Sequence, residues 1–186
     1  MNKKQENFEA SNYRAWHLSS SSHEAISTEF EWSMLRFQQA FERWVMQLAG
    51  VTGMGELSYI EAVIIHIIRM HDRPKSATDI ARQLNRDDIP NIQYCLRKLV
   101  KAGFCERIKD RSRKTAAYRV TARGRKLTEN YADLRRRILM DQSKNIDRVD
   151  EKLDEVNKMI SMMTGLYDEA GRITATYNPA TEKNGN

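Results

Sequence analysis

A mainly α fold with one small β wing follows from three features of this 186-residue sequence. Glycine and proline are scarce, 8 and 3 in all, so long helices can run uninterrupted. Apolar residues recur at three- and four-residue steps over much of the chain, the spacing of one helix face. Only one stretch breaks that habit: CERIK and AAYRV, two strand-like runs on either side of the polar tip DRSRKT.

The elements follow in order. Residues 1–22 are polar, end in the serine run Ser19 to Ser22, and read as a flexible N-terminal tail, with Phe8, Tyr13 and Trp16 as anchors by which part of it can dock. Ile26, Phe30, Met34, Phe37, Phe41, Val45 and Leu48 then share one helix face, and Gly50, Gly53 and Gly55 break that helix, so 23–56 is an N-terminal helix and its connector. The glycine spacing in GVTGMG follows no strand and is read as that connector. Ser58 and Glu61 make a capping box for a helix from Tyr59 to about Met70, apolar nearly all round and therefore central; His66 within it reads as a packed histidine. Ser76 caps a short helix, Ala77 to Leu84, with Asp79 near its positive end, and NRDD forms a turn. The next helix runs from Ile89 to Ala102, with Pro90 in its first turn and Gly103 as its stop.

After the two strands, Thr121 caps a helix carrying Leu127, Tyr131, Leu134 and Ile138. A final helix sets Ile146, Val149, Leu153, Val156, Ile160, Met163, Tyr167 and Ala170 at unbroken alternating steps of three and four, a heptad seam that calls for a partner helix. Residues 127–173 are thus expected to be C-terminal dimerisation helices, and 174–186, small and polar, a disordered tail.

Two short helices on a tight turn, followed by a two-stranded ribbon, make a winged helix-turn-helix over 57–126, with long N- and C-terminal helices on either side for dimerisation. Charge is concentrated on that module: from Arg73 to Lys126 lie 16 of the 31 Lys and Arg but only 5 of the 25 Asp and Glu, although the whole chain is only +6. A basic middle between acidic flanks fits a protein whose middle meets a polyanion, here double-stranded DNA.

Viewed end on, the Ile89–Ala102 helix has Ile92, Leu96, Leu99 and Val100 on one side, with Cys95 beside them. The opposite side carries Asn91, Gln93, Tyr94, Arg97, Lys98 and Lys101. Asn and Gln can bond adenine through two atoms and Arg can fork onto guanine, so Asn91, Gln93, Tyr94 and Arg97 are expected at the bases, and Lys98 and Lys101 at phosphates. Ser76 and Thr78, at the start of the preceding helix, offer amides to a phosphate oxygen. Arg111, Arg113 and Lys114 on the hairpin tip suit a minor groove.

Three segments resemble the MarR family of bacterial transcription factors. SATDIARQL resembles the family's first helix of the motif, NIQYCLRKLVKAGFCER its recognition helix with the LxxxG(F/L)xxR exit, and VTARGRKL its LTxxG segment after the wing. The resemblance covers roughly Leu57 to Leu127, and the flanking helices match in order and length. The wing departs from the pattern: Ser112 stands where the family usually has Asp and Lys114 where it has Arg. The resemblance implies a homodimer with interlocked terminal helices on a pseudo-palindromic operator, acting as a repressor, and a phenolic or other small effector.

The dimer also follows from the residues. One module buries little surface on DNA, whereas pairing through Phe30, Phe37 and Phe41 of the first helix and Val149, Leu153, Val156, Ile160 and Met163 of the last would set two recognition helices about one DNA turn, ~34 Å, apart. The alternative is a helical protein–protein interaction module on the same scaffold, its seam paired with a different chain. An enzyme is not expected. HExxH, a strand-borne GxGxxG, a nucleophile elbow and paired acids flanked by His are all missing, so no catalytic residue, cofactor or metal ligand is assigned. Cys95 and Cys105 fit neither a CxxC pair nor a zinc set and are expected to be reduced and inert. The most apolar piece, AVIIHIIRM, is short and holds His66 and Arg69, and the N-terminus has no apolar signal core, so no membrane segment and a cytoplasmic location are expected.

Overall fold

The computed structural model describes residues 16–108 and 115–177. They form two compact units, one ending at Leu134 and the other beginning at Arg135.

In the first unit, α1 (Ser22–Val51) starts where Ser21 accepts the Glu24 amide at 3.2 Å and Glu24 accepts the Ser21 amide at 3.0 Å, a capping box. Residues 16–21, expected in the flexible tail, pack on α1 instead. The Trp16 ring stacks on Trp32 at 5.7 Å, and the buried Thr28 donates to the Leu18 carbonyl at 3.1 Å. Phe8 and Tyr13 lie outside the described residues. Gly50, expected to break the helix, is within it. The stop is Gly53, whose φ of +90° lets the Met54 amide reach the Ala49 carbonyl at 2.9 Å.

The central helix is α2 (Tyr59–Arg69), in which Glu61, Ala62, Ile64, Ile65, Ile67 and Ile68 are all buried. Isoleucine on every side leaves it no solvent face, so α1, α3 (Ala77–Gln83) and α4 (Ile89–Lys101) all pack against it. A single turn, Met70–Asp72, and the two-residue strand β1 (Lys75–Ser76) lead from α2 into α3.

The α3–α4 turn closes on Asn85, whose positive φ of 49° brings the Arg86 amide to the Ala81 carbonyl at 2.9 Å. Asparagine is among the side chains that tolerate that conformation. Gly103 ends α4 the same way, at φ 74°, with the Phe104 amide on the Leu99 carbonyl at 3.0 Å. The wing strands are β2 (Cys105–Ile108) and β3 (Ala117–Val120), paired antiparallel, with β1 on the far edge of β3. The third strand was not expected, because two residues show no periodicity.

Thr121 opens α5 (Ala122–Arg135). Its hydroxyl donates to the Gly103 carbonyl at 2.7 Å and accepts the Gly124 amide at 3.1 Å, tying the start of α5 to the exit of α4. The approach is so close that a Cβ on Gly124 would stand 2.1 Å from the Phe104 carbonyl oxygen. His66 meets the buried Tyr131 of α5 with ring centroids 4.3 Å apart, the packed histidine that was expected.

The second unit begins with a wide helical turn, Arg136–Met140, and a short one, Asp141–Ser143. Arg148, at a positive φ of 50°, redirects the chain into α6 (Val149–Thr176). Ile146, expected in the seam of this helix, precedes it. Thr174 to Thr176, expected in a disordered tail, extend it, with the Thr174 and Thr176 hydroxyls bonded back to the carbonyls of Ala170 and Ile173. No residue of α6 is buried.

Candidate nucleic-acid interface

The outward side of α4 lies open. Ile92, Cys95, Leu96 and Leu99 face the core, while Asn91, Gln93, Tyr94, Arg97 and Lys101 are exposed on the other side, as their spacing predicts. A groove of about 460 Å³ runs between the start of α3, α4 and the base of the wing. It brings Ser76, Thr78, Gln93 and Arg97 together and adds Arg107 of β2 and Tyr118 of β3, which face each other across the strands. Arg107 was missed by sequence reasoning. Its only signal is a cation in the strand that feeds a basic tip, and the cross-strand register that places it is not legible in sequence. The tip residues Arg111, Arg113 and Lys114 lie outside the described residues.

Several of the expected site residues already have partners. Ser76 is buried, and its hydroxyl accepts the Asp79 amide at 3.1 Å and donates to the Asp79 carboxylate at 2.8 Å, so it serves as the cap. Thr78 is exposed. Asp88, at the foot of α4, receives Arg86 through Nε at 2.8 Å and Nη2 at 2.5 Å, and the Asn91 side-chain amide at 3.2 Å. The Arg86 hydrogen bonds, aided by Asn91, hold the Asp88 carboxyl at about 2, so it is ionised throughout the physiological range. Asn91 is thereby oriented at the foot of α4.

Lys98, expected at a phosphate, has a partner within the chain. Its ammonium lies 2.6 Å from Oε1 of Glu61, a carboxylate enclosed at the start of α2. Burial pushes the Glu61 carboxyl up, but the Lys98 hydrogen bond and the Ser58 amide outweigh it, and the carboxyl stays below its ordinary range. The same hydrogen bond raises the Lys98 pKa. The spacing puts Lys98 on the polar side of α4, yet a four-carbon stem reaches around the helix to a charge it can neutralise. The Tyr94 ring has two cations near it, the Arg97 guanidinium at 5.9 Å and the Lys98 ammonium at 5.8 Å, both at the outer limit of a cation–π contact.

Both cysteines are buried and unbridged. Burial raises the Cys95 thiol and pushes Cys105 up to about 12, which leaves almost no reactive thiolate at neutral pH. Among the described residues no cluster of His, Cys, Asp and Glu could hold a metal ion. No described helix is long and apolar enough to cross a membrane.

Residues 57–124 match the family model of the winged helix DNA-binding domain. This is a winged-helix domain. Its α3, turn, α4 and wing supply the parts by which such domains meet DNA: a helix with one open polar side and a basic ribbon next to it. No curated protein matches the chain in sequence. Among solved structures, the chain is similar to a MarR/EmrR family transcriptional regulator from Acinetobacter sp. ADP1, at 15% identity and a TM-score of 0.63 over 77% of this chain and 98% of that one. It is similar to Staphylococcus aureus MarR in complex with salicylate and kanamycin, at 18% identity and a TM-score of 0.59 over 77% and 94%. Reduced AbfR bound to DNA, a protein of Staphylococcus epidermidis, matches at 14% identity and a TM-score of 0.59 over 75% and 94%. The expected resemblance to the MarR family is met in the fold.

Proposed function

We propose that the chain is a MarR-like transcriptional repressor that binds a pseudo-palindromic operator as a homodimer. The observation that carries this reading is the open side of α4, where Gln93, Tyr94, Arg97 and Lys101 stand exposed and Gln93 and Arg97 share a groove with Thr78 and Arg107. Gln93 and Arg97 are the base-reading groups, with Asn91 and Tyr94 beside them, and Lys101, Arg107 and the tip cations Arg111, Arg113 and Lys114 meet phosphates or the minor groove. The DNA-bound AbfR structure supports that use of the fold. The dimer reading is supported by the apolar residues left open on α6, Leu153 and Val156 among them, and by the exposed Phe37 and Phe41 of α1, whose rings stack on each other at 6.1 Å. The salicylate complex of S. aureus MarR supports control by a small aromatic effector.

The test is selection of bound duplexes from a random pool, followed by titration of the selected duplex at stated salt. A two-fold symmetric motif with half-sites about one helical turn apart is expected. Binding with no preference over random DNA would refute sequence-specific regulation. Arg97→Ala should weaken preference at one base pair per half-site, by about 1–3 kcal/mol.

A further inference from the structure

Glu61 is the one charged side chain fully enclosed among the described residues. A buried carboxylate is tolerated only when it is paired and hydrogen-bonded. Both of its oxygens meet that condition. Oε2 accepts the Ser58 amide at 2.9 Å, and Oε1 holds the Lys98 ammonium at 2.6 Å. The cap alone would have been served by a neutral glutamine, so the charge at this position answers Lys98. The Lys98 ammonium also stands 5.8 Å from the ring centroid of Tyr94, one helical turn earlier and half exposed, within the outer reach of a cation–π contact. A continuous set of contacts therefore runs from the start of the central helix to the outward side of α4. Moving Lys98 to a phosphate would leave the carboxylate buried and unpaired, so the ammonium is not available to replace a DNA counterion.

We propose that Glu61 is a positioning residue of the DNA-reading surface: its buried carboxylate holds Lys98 back from the phosphates and, through Lys98, seats the Tyr94 ring on the outward side of α4. This inference rests on the DNA-binding reading above. It assigns the phosphate charge of this helix to Lys101, and gives the buried start of α2 a part in base selection.

The experiment measures the dependence of log K on log[KCl] for the full-length protein on its selected duplex. Each phosphate contact contributes about 0.9 to that slope. The double variant Glu61→Gln/Lys98→Met leaves no buried charge unpaired and should keep the parental slope, whereas Lys101→Met should lower it by about 0.9. Glu61→Gln alone keeps an acceptor for the Ser58 amide and frees Lys98, so its slope should steepen by up to about 0.9. A Glu61→Gln slope equal to the parent's would show a purely structural pair and overturn the withheld-lysine assignment. Random-pool selection with the double variant should return a motif degraded at the same base pairs that Tyr94→Leu degrades. A double variant whose slope drops as Lys101→Met does overturns the withheld-lysine assignment, and an unchanged motif overturns the seating of Tyr94. If the parent itself shows no salt-dependent, sequence-selective binding, the DNA-binding reading fails and takes this inference with it. That result is distinct from a parent that binds while the double variant loses slope.

Discussion

Helices α2 and α6 both carry many apolar residues and end in opposite conditions. In α2, six of eleven residues are buried, and the helices around it close the core within the chain. In α6, none of 28 residues is buried; Leu153 is 52% exposed and Val156 50%. What α6 has of its own are ion pairs one turn apart, such as Lys158 with Asp154 at 2.6 Å and Arg172 with Glu169 at 2.5 Å. Such pairs contribute about 0.2–0.5 kcal/mol each, too little to account for an ordered apolar seam. An all-round apolar helix therefore becomes a core when neighbouring helices of the chain cover it, and a one-sided apolar seam left uncovered asks for a partner.

The strongest way to break that contrast is to charge the seam. Leu153→Glu with Ile160→Glu should convert a dimer to a monomer by light scattering. Loss of the second half-site should lower operator affinity by about 10²- to 10⁴-fold. A dimer of unchanged affinity would show that α6 is not the partner surface. The matching change inside the closed region is Ile64→Ala, a fully buried position where the lost methylenes and the cavity should cost about 2–5 kcal/mol in urea unfolding. An effect there no larger than that of a surface substitution would mean that α2 is not the centre of the core.

Next in size is Gly124→Ala. The added Cβ would meet a backbone carbonyl that cannot swing away, so α5 must shift off the exit of α4. Overpacking of this kind costs about 1–3 kcal/mol, and DNA affinity should fall with it because the wing leaves from the same junction. Parental stability would show that the junction yields freely.

How far the sequence could be read follows the same division between local and distant partners. The caps of α2 and α3, the Gly103 stop and the open side of α4 were legible because each depends on residues a few positions apart. Glu61 was legible as a cap for that reason, and only half legible: its second oxygen is held by a lysine on another helix, and no spacing rule reports that. Arg107 needed a strand register, β1 is too short for any period, and Gly124 showed its purpose only when the Phe104 carbonyl was found against it. The expected seam missed the start of α6 because Arg148 turns the chain after Ile146, which the apolar spacing alone does not reveal.

Acid should separate two carboxylates of the first unit, Glu61 and Asp88. Glu61 is held below its ordinary value of 4.5, so the stability it contributes is present above that value and is lost as pH falls through its lower, folded-state value. Asp88, at about 2, keeps its contribution to more acid conditions. Urea midpoints followed from about pH 6 to about pH 3 should fall more steeply for the parent than for Glu61→Gln, which has no carboxylate to protonate there. Parallel curves would mean that the Glu61–Lys98 pair contributes nothing that protonation can remove.

The smallest expected effect has the opposite sign. Gly165 lies in the interior of α6, off the heptad seam, and a Cβ added there meets nothing within 4 Å. Glycine in a helix is less favourable than alanine by about 0.5–1 kcal/mol, because its unfolded chain has more freedom to lose. Gly165→Ala should therefore stabilise α6 by that amount in thermal or urea unfolding, in direct contrast to Gly124→Ala in the closed region. Its operator affinity should equal the parent's, since the changed position faces away from the seam. A destabilised Gly165→Ala protein would mean that a partner packs closely on the side of α6 opposite Leu153 and Ile160, and the dimer surface would have to be redrawn around that side.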